Sequence, residues 1–203
     1  MFTLMILAIF VACASLVWMH GFWGAAVTLL NVLFAGLLAT NLCFVLSDQL
    51  NSVLKSFTYF WDFLSFWLIF TILFLVLRSI TDTISKTRVR FIQPVDIAGR
   101  SVIALAVAWI MVCIICFSLH MAPIPKTGFR GGFQRTAMSK DFLGISPDCQ
   151  WIAIVSMCSN GALSPLIEKQ FESPNPNNFI RNYRIRRADL EKLQKNTGSF
   201  RVK

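Results

Sequence analysis

Between Met1 and Ser47 the chain carries no Asp, Glu, Lys or Arg, and the only imidazole in that stretch is His20. A helix of about 20 apolar residues crosses a hydrocarbon core roughly 30 Å thick, so the stretch is long enough for two crossings. It predicts spans over residues 2–18 and 22–46, folded about His20-Gly21, where a glycine and a polar ring suit an interfacial turn. Residues 2–18 lack the positively charged n-region of a signal peptide and are read as an uncleaved span.

Two more apolar segments follow. The third span, 58–77, opens with Tyr59-Phe60-Trp61 at headgroup level and is closed by Arg78. The fourth, 101–119, is about 28 Å long at 1.5 Å per residue and is stopped by Pro123 and Pro125. A polar link, residues 47–56, joins the second and third spans. A basic loop, Arg78 to Arg100, joins the third and fourth, with Pro94 and Gly99 as breakers. The expected fold is an all-α integral membrane protein with four transmembrane helices in two hairpins, residues 1–122, and a C-terminal basic tail, 123–203. Only 14% of the residues are charged, against roughly 25% in a soluble domain, in keeping with that class.

Charge is concentrated in the tail. Residues 1–119 hold six Lys or Arg and four acidic residues, and residues 120–203 hold thirteen and six. The net charge of +9 fits topology and contact with anionic lipid headgroups, not nucleic acid. Lys126 to Lys140 reads as a glycine-rich loop, and Ser173 to Asn178 as a linker. The apolar segment 151–163 reads as a short surface-lying or re-entrant helix, and 179–195 as a terminal basic helix. The five positive charges of Arg78–Arg100 favour a cytoplasmic side for that loop, which puts the 47–56 link and the tail on the other side. A fifth span over 149–166 is the alternative that returns the tail to the cytoplasm.

Polar residues within the apolar runs are the first candidates for function. Asp62 is either a cation or proton site facing the bundle interior or, as expected, a first-turn carboxylate favoured by the helix dipole and close to water. Asn31 and Asn41 are expected to hydrogen-bond between helices, with a polar path as the alternative. Gly24/Thr28, Ala35/Ala39, Gly36/Thr40 and Ala104/Ala108 have the small-xxx-small spacing of close helix approach. His20 and His120 read as interfacial residues. Cys13, Cys43, Cys113 and Cys116 read as small hydrophobes. Cys113-x-x-Cys116 has no second pair with zinc-site spacing, and Cys149 with Cys158 would need a bend between them to pair. No nucleotide-binding motif and no nucleophile–base pairing occur, so neither an enzyme nor a cofactor is expected.

His20-Gly21-Phe22 resembles the Arg-Gly-Phe turn between the first two spans of the colicin V production protein (CvpA) family. Pro94-Val95-Asp96-Ile97-Ala98-Gly99-Arg100 resembles that family's Asp-x-x-x-Gly approach to the last span, with Asp96 as the matching acid. The likeness covers about residues 1–122. In this chain His20 stands for the usual arginine, Ala25 and Ala26 occupy the region of an expected acid, and Ala104 and Ala108 stand where glycine is common. The resemblance implies four spans in a bacterial inner membrane, a role in envelope homeostasis or export, and no catalytic activity. The expected function is an accessory or scaffold protein, with an oligomeric channel or transporter and a membrane subunit of a larger complex as alternatives. The partners expected are anionic lipid, further copies of the chain or other membrane subunits.

Overall fold

The computed structural model describes residues 2–53, 60–84, 92–123, 146–159 and 176–199, and every regular element among them is a helix. These are α1 (Phe2–Trp18), α2 (Gly21–Val53), α3 (Trp61–Ile84), α4 (Gln93–Met121), α5 (Pro147–Ser159) and α6 (Pro176–Ser199). Helices α2, α3 and α4 are long and apolar enough to cross a membrane, and α1, with 17 residues, is shorter. Helix α2 packs on both α3 and α4, while α4 also carries α1 and α5. Alternation of direction gives the bundle two ends. The turn end holds the α1–α2 turn, the end of α3 and the start of α4. The tail end holds the start of α1, the end of α2, the start of α3 and the end of α4.

The helices outrun the apolar runs that predict them. Helix α2 continues through Ser47 to Val53, into the predicted polar link. Ser47 is buried there and donates to Asp62 of α3, so these polar turns have an inward face to satisfy. Helix α3 does not stop at Arg78 but runs to Ile84. Arg78 Nε donates to Asp82 one turn on at 2.9 Å, and Nη1 reaches Thr28 on α2 at 3.0 Å. Helix α4 starts at Gln93, eight residues before the predicted Ser101. Pro94 lies in its first turn, where a missing N–H breaks no helical bond, so it opens the helix and does not interrupt it. The predicted basic loop Arg78–Arg100 is thus mostly helix.

The interior is apolar and close-packed. Phe66, Phe70 and Phe74 stack along α3, and Phe66 meets Phe117 of α4 edge-on with centroids 5.7 Å apart. Ala35 and Ala39 on α2 and Ala104 and Ala108 on α4 are buried, as small residues between close backbones should be. Gly36 and Thr40 make room for something other than a spanning helix. The Trp151 indole of α5 lies 2.7 Å from where a Gly36 Cβ would stand, and its Nε1 donates to Thr40 Oγ1 at 3.1 Å. Helix α5 is therefore not surface-lying: Trp151, Ile152 and Val155 are buried in the core. Residues 160–163 of the predicted apolar helix, and the predicted loop 126–140, lie outside the described residues.

Of the alternative fifth span, 149–166, residues 149–159 are described and 160–166 lie outside the described residues. Helix α5 has 13 residues, about 20 Å. Met121 leaves the bundle at the tail end, and α6 makes its contacts at that same end, through Asp62 and His120. Reporters fused at Lys203 and inserted beside Lys55 should accordingly give the same sidedness, opposite to one inserted beside Arg88. Discordant reports from positions 55 and 203 would contradict the fold.

Candidate functional site

The residues of the two sequence motifs meet at the turn end. Gly21 has a φ of +73°, a left-handed conformation that lets α2 start with only two residues between it and α1. The first backbone N–H groups of a helix have no partner within it. The N–H of Phe22 finds Asp96 Oδ1, 3.0 Å away in the first turn of α4. The Phe22 ring lies against Gly99, one turn along α4, so closely that a methyl group there would overlap it. His20 completes the turn by donating from Nδ1 to Leu16 O at 2.8 Å, and its side chain is exposed. Arg100 extends the site: its guanidinium lies 4.1 Å above the Trp18 ring and 3.8 Å from Asp96. Trp18 Nε1 also donates to Ser101 at 3.1 Å. This arrangement clamps the α1–α2 turn to the start of α4.

A second polar cluster occupies the tail end. Asp62 is in the first turn of α3, as expected, but it is not near water: the residue is 5% exposed. Helix α6 covers it. Tyr183 Oη donates to Asp62 Oδ2 at 2.8 Å, and Arg186 pairs with the same carboxylate, while Ser47 donates to Oδ1. Burial and the adjacent negative charge both push the Tyr183 hydroxyl above its ordinary range, so it acts as a donor. One turn away, Arg187 donates to His120 O at 2.9 Å and lies 3.2 Å from His120 Nδ1. His120 Nε2 lies 2.9 Å from Asp148 of α5. His120 is thus not simply interfacial but the junction of α4, α5 and α6. Burial lowers the Arg187 pKa, and it raises that of the Cys149 thiol to about 11, with Asp148 adding to the effect.

The two asparagines behave differently. Asn31 Nδ2 donates to Thr81 of α3 at 3.1 Å, the expected bond between helices. Asn41 Nδ2 donates to Leu37 O of its own helix at 2.9 Å, and its buried Oδ1 has no partner among the described residues. No group of three or more His, Cys, Asp or Glu that could hold a metal ion occurs among the described residues. Cys149 and Cys158 sit nine positions apart on one helix, about 13 Å, and are not joined by a disulfide.

Sequence reasoning missed Ser47, Tyr183, Arg186, Arg187 and Asp148 as members of a site. A signal was present: Tyr183, Arg186, Arg187 and Leu190 recur at the spacing of one helix face. The turn clamp also generates a test. Gly99→Ala overpacks against Phe22 and should cost about 1–3 kcal/mol of stability. Gly21→Ala should cost about 1–2 kcal/mol through its backbone. Phe22→Leu should rescue the first variant and not the second. Unfolding midpoints in mild detergent measure all three.

A scan against family models matches residues 2–143 to the colicin V production protein family. No curated protein and no solved structure matches. The matched segment covers both halves of the turn clamp and all four helices of the bundle, and the chain belongs to the colicin V production protein family.

Proposed function

We propose that this chain is a non-enzymatic, multi-pass scaffold of the bacterial inner membrane, acting in envelope homeostasis or export. The observation that supports this reading is how the bundle uses its ionisable groups. Asp96 holds the α1–α2 turn, Asp62 holds α6, and His120 joins α5 and α6 to α4. Groups committed to tying element to element are suited to holding a shape. A channel reading needs Asp62, Asn31 and Asn41 to face a shared path. Asp62 instead accepts from Ser47, Tyr183 and Arg186, and Asn31 is bonded to Thr81.

Helix α1 serves as the fourth crossing, since 17 residues reach about 26 Å, the short end of what a bilayer needs. Apolar side chains exposed on α1 (Leu4, Leu7, Val11) and α3 (Leu68, Ile72, Leu75) meet lipid, further copies of the chain or other membrane subunits. The outward side of α6, with Arg181 and Arg184, is the recognition surface of the tail and meets anionic headgroups or an acidic partner.

Cross-linking in cells followed by capture in mild detergent tests the role of the tail. The full-length variant Arg181→Gln/Arg184→Gln/Lys192→Gln changes only exposed positions. It should lose most of the partners captured by the unaltered protein, and an unchanged partner set would remove the role assigned to α6. Ion flux into proteoliposomes should be the same for Asp62→Asn as for the unaltered chain, whereas flux that depended on Asp62 would favour a channel.

A further inference from the structure

Two arginines mark the turn end, and they differ in what holds them. Arg78 donates from Nε to Asp82 and from Nη1 to Thr28. Arg100 has five N–H donors and makes no hydrogen bond to any described residue. Its ion pair with Asp96 spans 3.8 Å from Nη1, too long for a hydrogen bond, and its Nε is buried without an acceptor. Donors left unbonded at the edge of an apolar layer are costly, so Arg100 calls for an acceptor from outside the chain.

The geometry fixes which donors are open to it. The guanidinium lies over the Trp18 ring, 4.1 Å from its centroid, and stacking covers a face without using any N–H, since these lie in the guanidinium plane. Trp18 is itself held, because its Nε1 donates to Ser101, whose hydroxyl donates to Ile97 O at 2.7 Å. Nε is enclosed, whereas the two Nη groups are not, and the Arg100 side chain keeps 22% of its surface open. Two Nη groups in one plane suit bidentate capture of a phosphate.

The place of the pair indicates the source of that phosphate. Arg100 stands about 30 Å along α4 from His120, so with His120 at one boundary of a hydrocarbon core it lies at the other, where lipid phosphates begin. Leu16 and Val102, close to the pair in sequence, are exposed and apolar, which suits acyl chains and not a freely diffusing anion. From Arg78 to Arg100 the sequence carries five positive charges against Asp82 and Asp96, so Asp96 does not cancel the local excess.

We propose that Arg100, stacked on Trp18, is a binding site for the phosphodiester of an anionic membrane lipid at the turn end. The two Nη groups donate in parallel to its non-bridging oxygens. A phosphocholine lipid offers the same phosphodiester but brings its own cation into a basic region, so the site prefers a lipid of net negative charge. The site depends on the chain crossing a membrane and not on the scaffold role or on α6, so its failure would leave both of those readings intact.

Native mass spectrometry of the full-length protein in mild detergent, offered phosphatidylglycerol and phosphatidylcholine with identical acyl chains, reads this preference. The Arg181→Gln/Arg184→Gln/Lys192→Gln background removes exposed cations of α6 from the measurement. In that background phosphatidylglycerol should be retained over phosphatidylcholine roughly tenfold, the effect of charge-assisted hydrogen bonds. Adding Arg100→Gln should bring the ratio close to one. Arg100→Lys keeps a charge beside Asp96 but loses the planar fork, and should fall between the two. Trp18→Phe keeps a ring under the guanidinium and should retain most of the preference. The site is overturned by equal retention of the two lipids before Arg100 is changed, or by a ratio that survives Arg100→Gln. If Arg100→Gln does not fold, an undiminished ratio in Arg100→Lys overturns the bidentate site. Displacement of phosphatidylglycerol by equimolar inorganic phosphate would overturn the assignment to lipid.

Discussion

A hydrocarbon layer holds no water, so a polar group inside it must be satisfied within the protein or leave the layer. That constraint orders the whole bundle. Its ionisable side chains collect at two levels, Arg78, Asp96 and Arg100 near the turn end and Asp62 and His120 at the tail end. Along α3, Asp62 and Arg78 are about 24 Å apart, and along α4, Arg100 and His120 about 30 Å, close to the thickness of a bilayer core. Between the levels stand Phe66, Phe70, Phe117 and the alanine stripes. Of the hydroxyls that occur there, Thr28 bonds Gly24 O and Thr40 bonds Gly36 O, each at 2.8 Å, whereas the buried Ser65 Oγ has no partner among the described residues. Trp151 enters from the side and brings its single donor to Thr40.

The same constraint explains why the turn end is built as it is. Two helices that reverse in two residues leave the first N–H groups of α2 exposed at the edge of an apolar layer, where bulk water is scarce. A carboxylate delivered from another helix replaces water as acceptor for Phe22 N, and it is oriented by Arg100 on its own helix. For Asp96 to come so near, α4 must approach α2 past the Phe22 ring, which is why Gly99 carries no side chain. Gly21 supplies the backbone turn and Gly99 the close approach. Neither glycine accomplishes anything without the other.

Sequence reading found the apolar segments and the motif residues because both are local. Hydropathy marks the edges of an apolar slab, however, and not the ends of helices. Ser47–Val53, Arg78–Ile84 and Gln93–Arg100 are polar and helical all the same, since a helix continues past the slab wherever its polar face finds partners. Meetings were the harder part. Phe22 and Asp96 stand 74 positions apart, and Tyr183 and Asp62 stand 121 apart. Nothing in the neighbourhood of Asp62 tells that a tail helix will exclude water from it. For that reason a carboxylate expected to be hydrated is buried. Likewise Gly36 and Thr40, which look like a helix-contact stripe, are the two sides of a slot for an indole.

The two tail helices are held by different physics. Helix α5 is anchored by Trp151, Ile152 and Val155, side chains that prefer the core under any solution condition. Helix α6 is anchored chiefly by arginines, and a guanidinium taken from water must recover several kcal/mol from its partners before it contributes anything. Arg186 recovers it from a full negative charge. Arg187 donates to the carbonyl oxygen of His120 and lies 3.2 Å from its Nδ1. The two kinds of anchorage meet at His120 at the end of α4, with Asp148 of α5 on one ring nitrogen and Arg187 of α6 beside the other and on the backbone oxygen.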